Sequence, residues 1–262
     1  MNTTSLSLNE PVGYLRKTTL VDFPARVACA VFLRGCNLRC PYCYNKNLVQ
    51  PESNTEIEDF ITLQDIYNHL ELRKNVLSGI VISGGEPLLH SATPQIITYA
   101  KHLGYKIKLD TNGTNPTKLK ELLNNNELRP DFIAMDIKTS PSRYNELSVN
   151  HSEQINYEAL IKTSIQLIEN HQTIQKEYRT VLVPTLITNT DIENISKILP
   201  KDASWNFSNF ENFNCLNSEY NNIQPYSEQE INNLVSIAKK IIKKQKLDKK
   251  KIISIDNNLI FQ

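Results

Sequence analysis

Three cysteines near the start of the chain, Cys36, Cys40 and Cys43, are spaced as Cys-x3-Cys-x2-Cys. Three thiolates so close together can bind three irons of a [4Fe–4S] cube, in which each iron normally takes one thiolate. The fourth iron would stay open and could chelate a small ligand, as a catalytic zinc does at its free position. The loop directly follows a predicted strand, so we expect it at the carboxyl edge of a sheet, where active sites of parallel α/β folds collect.

The cysteine pattern also has a structural interpretation, as a zinc site. Such a site usually combines one CxxC pair with a second, distant pair. The sequence has no second CxxC or CxxH pair, and its five histidines are scattered. The remaining cysteines, Cys29 and Cys215, cannot supply another cluster, and Cys29 is expected in the core because free cysteine buries readily. We therefore predict one cluster and no disulfide framework.

Two glycines and a glutamate, Gly84, Gly85 and Glu86, follow the apolar run Gly79–Ser83. Paired glycines at a strand end allow the backbone to approach a ligand closely, although they also mark ordinary turns. Glu86 could accept a charge-assisted hydrogen bond from a ligand ammonium group. The position after a strand therefore makes this segment a candidate binding element.

Polar side chains also stand at the ends of later predicted strands. Asp110-Thr111-Asn112-Gly113 closes the third strand, and taken alone its Asn-Gly pair favours simple turn chemistry. Alternation places Asp136 and Lys138 on one face of the fourth strand, as ligand contacts or as a surface ion pair. Arg179, near the start of the fifth strand, is a further candidate for binding a carboxylate or the substrate.

The elements that must position these residues alternate between strands and helices. Six β-rich runs, mostly continuous apolar stretches, suit buried parallel strands: Val27–Leu33, Gly79–Ser83, Lys106–Asp110, Phe132–Ile137, Tyr178–Val183 and Ser204–Ser208. Helical patterns lie between them, with a capping start at Thr62 and Asp65 and further helices at Pro94–Leu103, Thr117–Asn124 and from Tyr157. This order predicts parallel strands joined by right-handed crossovers.

Six strand–helix units are two short of a closed eight-fold barrel, so an open partial barrel and a doubly wound sheet both fit the pattern. A last helix is predicted over Ser227–Lys246. The lysines from Lys239 to Lys251 fit a solvated helix face, because no aromatic residues for base stacking are interleaved with them.

The bulk properties exclude some classes of function. The chain has 262 residues, 40% of them hydrophobic, which suits one large domain. A net charge of +1 argues against a dedicated nucleic-acid binder. No signal peptide is apparent, and the longest apolar run is too short to cross a bilayer. We expect a cytoplasmic protein that binds neither membrane nor nucleic acid.

The cysteine triplet, with an aromatic residue just before its third cysteine, is similar to the signature of the radical S-adenosylmethionine (SAM) superfamily. In that family SAM chelates the open iron, and one electron from the cluster cleaves it to methionine and a 5′-deoxyadenosyl radical. The resemblance implies a partial (β/α)6 barrel (26–215), preceded by a segment 1–25 and followed by a helical extension (216–262) packed on it. It also implies SAM contacts from Tyr42 on the adenine side and from Gly84, Gly85, Glu86, Thr111, Asp136, Lys138 and Arg179.

Five further segments narrow the resemblance: Gly13–Pro24, Ser83–Pro87, Leu109–Pro116, Asp131–Lys138 and Arg179–Thr188. In this order they resemble the anaerobic ribonucleoside-triphosphate reductase activating proteins, over roughly residues 12–215. That family belongs to the activases of glycyl-radical enzymes. The resemblance implies hydrogen abstraction from a glycine of a partner enzyme, with electrons from a flavodoxin or ferredoxin-type donor. Glycine suits this reaction because it has no side chain to block approach.

Some positions depart from the activase pattern or leave alternatives open. Tyr44 stands where activases commonly have histidine, and Glu211 is a further candidate for the SAM site. Asp22 is expected near the entry of the partner's glycine loop, or is an ordinary loop aspartate. A radical SAM enzyme acting on a small molecule or nucleotide, as in deazapurine synthesis, is a second hypothesis. A non-enzymatic metal-binding module is the third.

Overall fold

A computed structural model describes residues 6–50, 59–149 and 155–242. Its strands form one sheet and are β1 (Pro11–Thr19), β2 (Ala28–Leu33), β3 (Ile61–Thr62), β4 (Gly79–Gly84), β5 (Lys106–Thr111), β6 (Phe132–Asp136), β7 (Gln175–Leu182) and β8 (Trp205–Asn209). The α-helices are α1 (Lys46–Val49), α2 (Leu63–Arg73), α3 (Ala92–His102), α4 (Pro116–Asn124), α5 (Tyr157–Glu169), α6 (Asn189–Ile198) and α7 (228–242).

The sheet confirms the predicted strand–helix alternation. The strand order is β3-β1-β2-β4-β5-β6-β7-β8, and the six strands from β2 and β4 to β8 are parallel. A doubly wound sheet reverses its strand order at a switch point, whereas these six strands succeed one another in chain order without reversal. In the part of the chain that the structure describes, β3 and β8 each pair with one strand, so the sheet is open. The arrangement is that of a partial (β/α)6 barrel.

Strand β1 was not among the predicted strands. It pairs antiparallel with β2, through partners such as Tyr14 and Phe32, and β3 pairs antiparallel with β1. Val12 and Gly13 are buried, whereas Arg16, Lys17 and Thr18 are exposed, so β1 lacks a continuous apolar run. Part of the segment 1–25 is thereby hydrogen bonded into the sheet. The division at residues 25 and 215 stays a prediction.

Helix α2 begins where its capping residues predict, and α3 begins at Ala92, two residues before the predicted Pro94. Helix α2 starts with a capping box in which Thr62 and Asp65 exchange hydrogen bonds. Helix α6, which was not predicted, starts with the same device at Thr188 and Asp191. Helix α7 occupies 228–242 of the predicted Ser227–Lys246, and 243–246 lie outside the described residues. The lysines that follow Lys240 also lie outside them. None of the described helices is long and apolar enough to cross a membrane.

The two faces of the sheet carry different cores. The larger core packs the helices against one face. The smaller core lies on the other face, which we call the inner face, near the amino ends of the parallel strands. It consists of Phe23, Ala28, Ala30, Val81, Phe132 and Ala134. Phe23 comes from the β1–β2 loop and contacts Phe132 edge-on, with ring centroids 6.0 Å apart. This inner face is therefore apolar at its amino end, and its polar residues lie toward the carboxyl edge.

Candidate functional site

The three cysteines lie in the loop between β2 and α1, at the carboxyl end of β2. Backbone hydrogen bonds fix this cysteine loop: Gly35 donates to Leu48 at 2.8 Å, and Arg39 donates to Leu147 at 2.7 Å. Cys40 is buried, while Cys36 and Cys43 are half-buried. The described chain therefore presents three thiols from one anchored loop at the edge where the sequence placed the active site.

Burial controls the protonation of these thiols. It raises the pKa of Cys36 and Cys43 above the ordinary value and the pKa of Cys40 to about 12. The ammonium group of Lys138 lowers all three pKa values and so partly opposes burial. Without metal the thiols stay protonated at neutral pH, and metal binding must release their protons.

The glycine turn after β4 packs directly against the cysteine loop. Gly85 donates its backbone N–H to Leu33, and Glu86 donates to Gly35, both at 2.8 Å. A Cβ atom built on Gly85 would lie 2.0 Å from the carbonyl oxygen of Gly35. Glycine is therefore required here for the approach of two protein loops, whatever ligand also binds. The predicted SAM contacts of Gly84 and Gly85 stay predictions.

Glu86 is completely buried and connects β4 to β5. Its carboxylate accepts hydrogen bonds from the hydroxyl of Thr111 and the backbone N–H of Asn112, both at 2.7 Å, and from the N–H of Leu88 at 3.1 Å. Burial raises its pKa to about 7, although these hydrogen bonds lower it. Glu86 and Thr111 are thus hydrogen bonded to each other. Their predicted SAM contacts stay predictions.

A row of five charged side chains crosses β5, β6 and β7 on the inner face. Asp136 lies 3.1 Å from Lys138 and 2.8 Å from Arg179, measured between the closest nitrogen and oxygen atoms. Arg179 also lies 3.2 Å from Asp110, which pairs with the buried Lys108 at 2.8 Å. Three cations and two carboxylates leave the row one positive charge in excess. Such a row suits an anionic ligand group.

Within this row, Asp136 and its two cations, Lys138 and Arg179, hold one another ionised. Burial would raise the pKa of Asp136, but Lys138 and Arg179 lower it to about 2. Burial would lower the pKa of Lys138, but Asp136 keeps it well above its ordinary value. Lys108 and Asp110 were not predicted as site residues. The same alternation that placed Asp136 and Lys138 on one face applies to them as well.

The comparisons with known proteins agree with this geometry. Residues 30–196 match the sequence profile of the Radical SAM superfamily, nearly two thirds of the chain. This chain belongs to the radical SAM superfamily. Membership implies a [4Fe–4S] cluster and SAM as cofactors. Cysteine is the usual ligand for such a cluster, so the chemistry of the three-thiol loop fits it.

One relative of this radical SAM protein covers most of the chain. It comes from Methanocaldococcus jannaschii, is named as a proposed activating enzyme of glycyl-radical enzymes, and is 32% identical over 85% of this chain and 89% of its own length. A 7-carboxy-7-deazaguanine synthase of Aquifex aeolicus is 37% identical over 42% of this chain and 47% of its own. The crystal structure of Streptococcus suis SuiB bound to S-adenosylmethionine superposes with a TM-score of 0.57 at 16% identity, over 82% of this chain and 47% of SuiB. That likeness confirms the fold.

The donor set of this radical SAM chain has the chemistry that a cluster requires. Among the described residues, no three His, Cys, Asp or Glu side chains lie close enough together to hold one metal ion. A [4Fe–4S] cube makes a different demand, because each thiolate binds its own iron. The cube could therefore be held by Cys36, Cys40 and Cys43 from one loop without their converging on a point.

Tyr42 lies within the same loop, between Cys40 and Cys43, and its hydroxyl is a candidate ligand contact. It is buried, and its hydroxyl has no hydrogen-bond partner within the described ranges. Burial raises its pKa well above the ordinary value, and the neighbouring Cys40 raises it further. A buried hydroxyl without a partner costs free energy, which a ligand could recover. The predicted contact with the adenine side of SAM stays a prediction.

The remaining predicted residues lie at two different places. Asp22 pairs with Arg16 at 3.0 Å in the β1–β2 loop, at the amino end of the parallel strands and away from the cysteine loop. The exposed side chain of Glu211 follows β8, and its backbone N–H and carbonyl both bond to the hydroxyl of Tyr44. Cys29 is fully buried in β2, as expected for a core residue, and Cys215 is buried as well.

Proposed function

We propose that this chain cleaves SAM reductively at one [4Fe–4S] cluster held by Cys36, Cys40 and Cys43, and that it installs a glycyl radical in a partner enzyme. The observation that carries the SAM part is the place of Lys138. Its charge acts on all three thiols, and its ammonium group also ends the charged row through Asp136. A ligand bound here would contact both the cluster and the charged row, and the amino-acid end of SAM has the groups to do so.

The charged row has a defined task in this proposal. Lys138 and Arg179 would hold the carboxylate of SAM, and Asp136 would accept a hydrogen bond from a ribose hydroxyl. Asp136 and the SAM carboxylate are both anions, so they would repel each other if Asp136 were not already neutralised by two cations. The single excess positive charge of the row then remains for the ligand. When bound, the cluster and SAM supply a 5′-deoxyadenosyl radical that removes a hydrogen atom from the substrate.

The activase part of the proposal is supported by the relative from Methanocaldococcus jannaschii. That relative aligns over 223 residues, which is 85% of this chain and 89% of its own length. We infer that the substrate is a glycine of a partner glycyl-radical enzyme, such as an anaerobic ribonucleotide reductase. A flavodoxin or ferredoxin-type protein is the proposed electron donor.

A second candidate is a radical SAM enzyme that acts on a small molecule or nucleotide. One observation favours it: the 7-carboxy-7-deazaguanine synthase of Aquifex aeolicus has a higher identity, 37%, over its aligned 114 residues. That alignment covers 42% of this chain, against 85% for the activating-enzyme relative. The longer alignment is the reason for placing the activase first.

The test begins with the chain reconstituted anaerobically with iron and sulfide and reduced with dithionite. We expect about four irons per chain, and 5′-deoxyadenosine formed from SAM. Cys40→Ala should abolish the product, while Cys29→Ala, which alters a buried cysteine outside the loop, should retain it. About eight irons per chain would contradict a single cluster.

The partner is tested separately. A glycyl-radical enzyme encoded beside this chain, or an anaerobic ribonucleotide reductase, is added to the reduced protein and SAM. A glycyl radical detected by electron paramagnetic resonance (EPR) in that partner would support the activase. SAM cleavage that is stimulated by a deazapurine precursor, with no radical on any candidate partner, would favour the second candidate.

A further inference from the structure

The strand-end sequence Thr111-Asn112-Gly113-Thr114 contacts the cysteine loop through a closed ring of hydrogen bonds. Asn112 donates its side-chain amide to Asn37 at 3.1 Å, and Asn37 donates its own amide to the hydroxyl of Thr114 at 2.8 Å. The hydroxyl of Thr114 donates to the side-chain carbonyl of Asn112 at 2.6 Å and closes the ring. Because Asn37 directly follows Cys36, the ring joins the end of β5 to the first cysteine.

The orientation of the Asn112 amide is fixed by its partners. Its carbonyl oxygen also accepts the backbone N–H of Thr114 at 2.9 Å, a group that can only donate. The oxygen must therefore face Thr114, and the NH2 group must face the cysteine loop. The side chain is 4% exposed, so water does not compete strongly for these bonds.

The same NH2 group reaches the cluster ligand. It lies 3.9 Å from the sulfur of Cys36, within range of a weak N–H···S hydrogen bond, and the backbone N–H of Leu38 lies 3.4 Å from that sulfur. Among the described residues, a side-chain donor lies within hydrogen-bond range of the Cys36 sulfur but not of the Cys40 or Cys43 sulfur. The Asn112 backbone is held in turn by Glu86, at 2.7 Å.

We propose that Asn112 is a positioning residue that directs an amide N–H at the sulfur of Cys36, with Asn37, Thr114 and Glu86 holding it there, and that this hydrogen bond raises the reduction potential of the cluster. The proposal rests on the proposed function in one respect, the ligation of the cluster by Cys36. Reduction adds negative charge to the cluster and its thiolates. A donor aimed at a ligand sulfur stabilises the reduced form more than the oxidised form.

The consequence concerns the first electron transfer of the reaction. A low-potential cluster is hard to reduce, so a hydrogen bond that raises its potential increases the reduced fraction available at a given donor potential. The Asn-Gly pair, for which the sequence taken alone favoured a turn, then has two functions. Gly113 allows the turn with a φ of 73°, and Asn112 uses the turn to face Cys36.

The test is a redox titration of the reconstituted full chain, followed by the EPR signal of the reduced cluster, without SAM and without partner. Asn112→Asp keeps the acceptor for Thr114 and removes the donor to sulfur, and Asn112→Ala removes the donor without adding charge. Both should keep about four irons per chain. At the wild-type midpoint potential, the ratio of reduced to oxidised cluster should fall about tenfold, which is 59 mV for a one-electron couple.

A matched control is Asn68→Asp in α2, an exposed asparagine whose side-chain oxygen accepts from Gln64 at 2.9 Å and keeps that role as a carboxylate. Its potential should equal that of the wild type. Full clusters of unchanged potential in both Asn112 variants would overturn the proposal. If those variants retain no iron, Thr114→Val and Asn37→Ala decide, because each leaves the Asn112 amide but removes one of its anchors. A shift to lower potential in these two supports the proposal, and no shift overturns it.

The outcome is separable from that of the proposed function. A wild-type chain that forms no cluster would overturn both. If the wild-type chain forms a normal cluster and the Asn112 variants have the same midpoint potential as the wild type, this inference alone is overturned. The titration does not depend on whether the chain activates a glycyl-radical enzyme.

Discussion

The guanidinium Nε of Arg179 lies 2.8 Å from a carboxylate oxygen of Asp136, and the two residues are register partners on adjacent parallel strands. Their pairing is therefore set by the backbone of β6 and β7 as well as by the side chains. Lys138, two residues after Asp136, adds a second cation to the same carboxylate. The carboxylate is thus neutralised before any ligand arrives, while its position at the strand end leaves it accessible to one.

Replacing Asp136 should weaken SAM binding and spare the cluster. Asp136→Ala removes the proposed ribose contact and releases Lys138 and Arg179 from their partner. A charge-assisted hydrogen bond is worth about 1.5–3 kcal/mol, so the dissociation constant for SAM should rise at least about tenfold. Equilibrium binding to the reconstituted chain measures this, with Glu146→Ala, an exposed partner of Arg143, as the control. Unchanged affinity would make Asp136 a purely structural residue.

The stability of the chain should depend on the ionisation of Glu86. Its pKa is raised to about 7 from 4.5, so the folded chain binds this proton more tightly than the unfolded chain. Stability from this group is therefore full below about pH 4.5 and falls as the pH rises to about 7. The loss is about 3 kcal/mol in free energy of unfolding.

Urea unfolding of the cluster-free wild type and of Glu86→Gln at pH 5 and pH 8 measures this dependence as the difference between the two chains. The difference is needed because burial lowers the pKa of His90 to about 4, and His90 changes the stability in the opposite direction over the same range. Burial raises the pKa values of the cysteine triplet, so these thiols stay protonated across the range. Glu86→Gln should lose the pH-dependent component that Glu86 contributes, because an amide does not titrate in this range. Equal pH dependence in the variant would contradict a raised pKa for Glu86.

The parts of the fold that could be predicted from sequence are those with local causes. Strands β2, β4 and β6 are continuous apolar runs, and α2 carries its capping residues in order. Strand β1 was missed because exposed residues interrupt its apolar pattern, and its pairing with β2 is a long-range contact. Helix α6 was missed because few of its residues are apolar, although Thr188 and Asp191 gave a usable capping signal.

The candidate site divides in the same way. The cysteine triplet and the pair of Asp136 with Lys138 follow from spacing and alternation along single segments. The roles of Glu86 and Asn112 depend on which loops meet at the edge of the sheet, and that depends on the register of β2, β4 and β5. Local sequence patterns do not contain this register. An Asn-Gly pair therefore looked like a turn, although its asparagine also faces Cys36.

The glycine turn gives a steric prediction. A methyl group on Gly85 would overlap the backbone of Gly35, so Gly85→Ala should displace the cysteine loop and reduce the iron content after reconstitution. Gly104→Ala is the matched control, because Gly104 faces open space and has a φ of 85°, so its cost is backbone strain of about 1–3 kcal/mol. Normal iron content in Gly85→Ala would mean that the loops separate without disturbing the three thiols.

Tyr44, which stands where activases commonly have histidine, ties the end of the sheet to the cysteine loop. Its hydroxyl donates to the carbonyl of Glu211 at 2.9 Å and accepts the Glu211 N–H at 2.8 Å. Tyr44→Phe removes both bonds at a half-exposed site, so the loss of stability should be small, about 1 kcal/mol. The sharper measurement is hydrogen exchange. The Glu211 amide should lose protection in Tyr44→Phe, while the amide of Cys215, bonded to Asn221, should keep it. Unchanged exchange at Glu211 would mean that the segment after β8 is held by its other contacts, and that tyrosine at this position has no anchoring role.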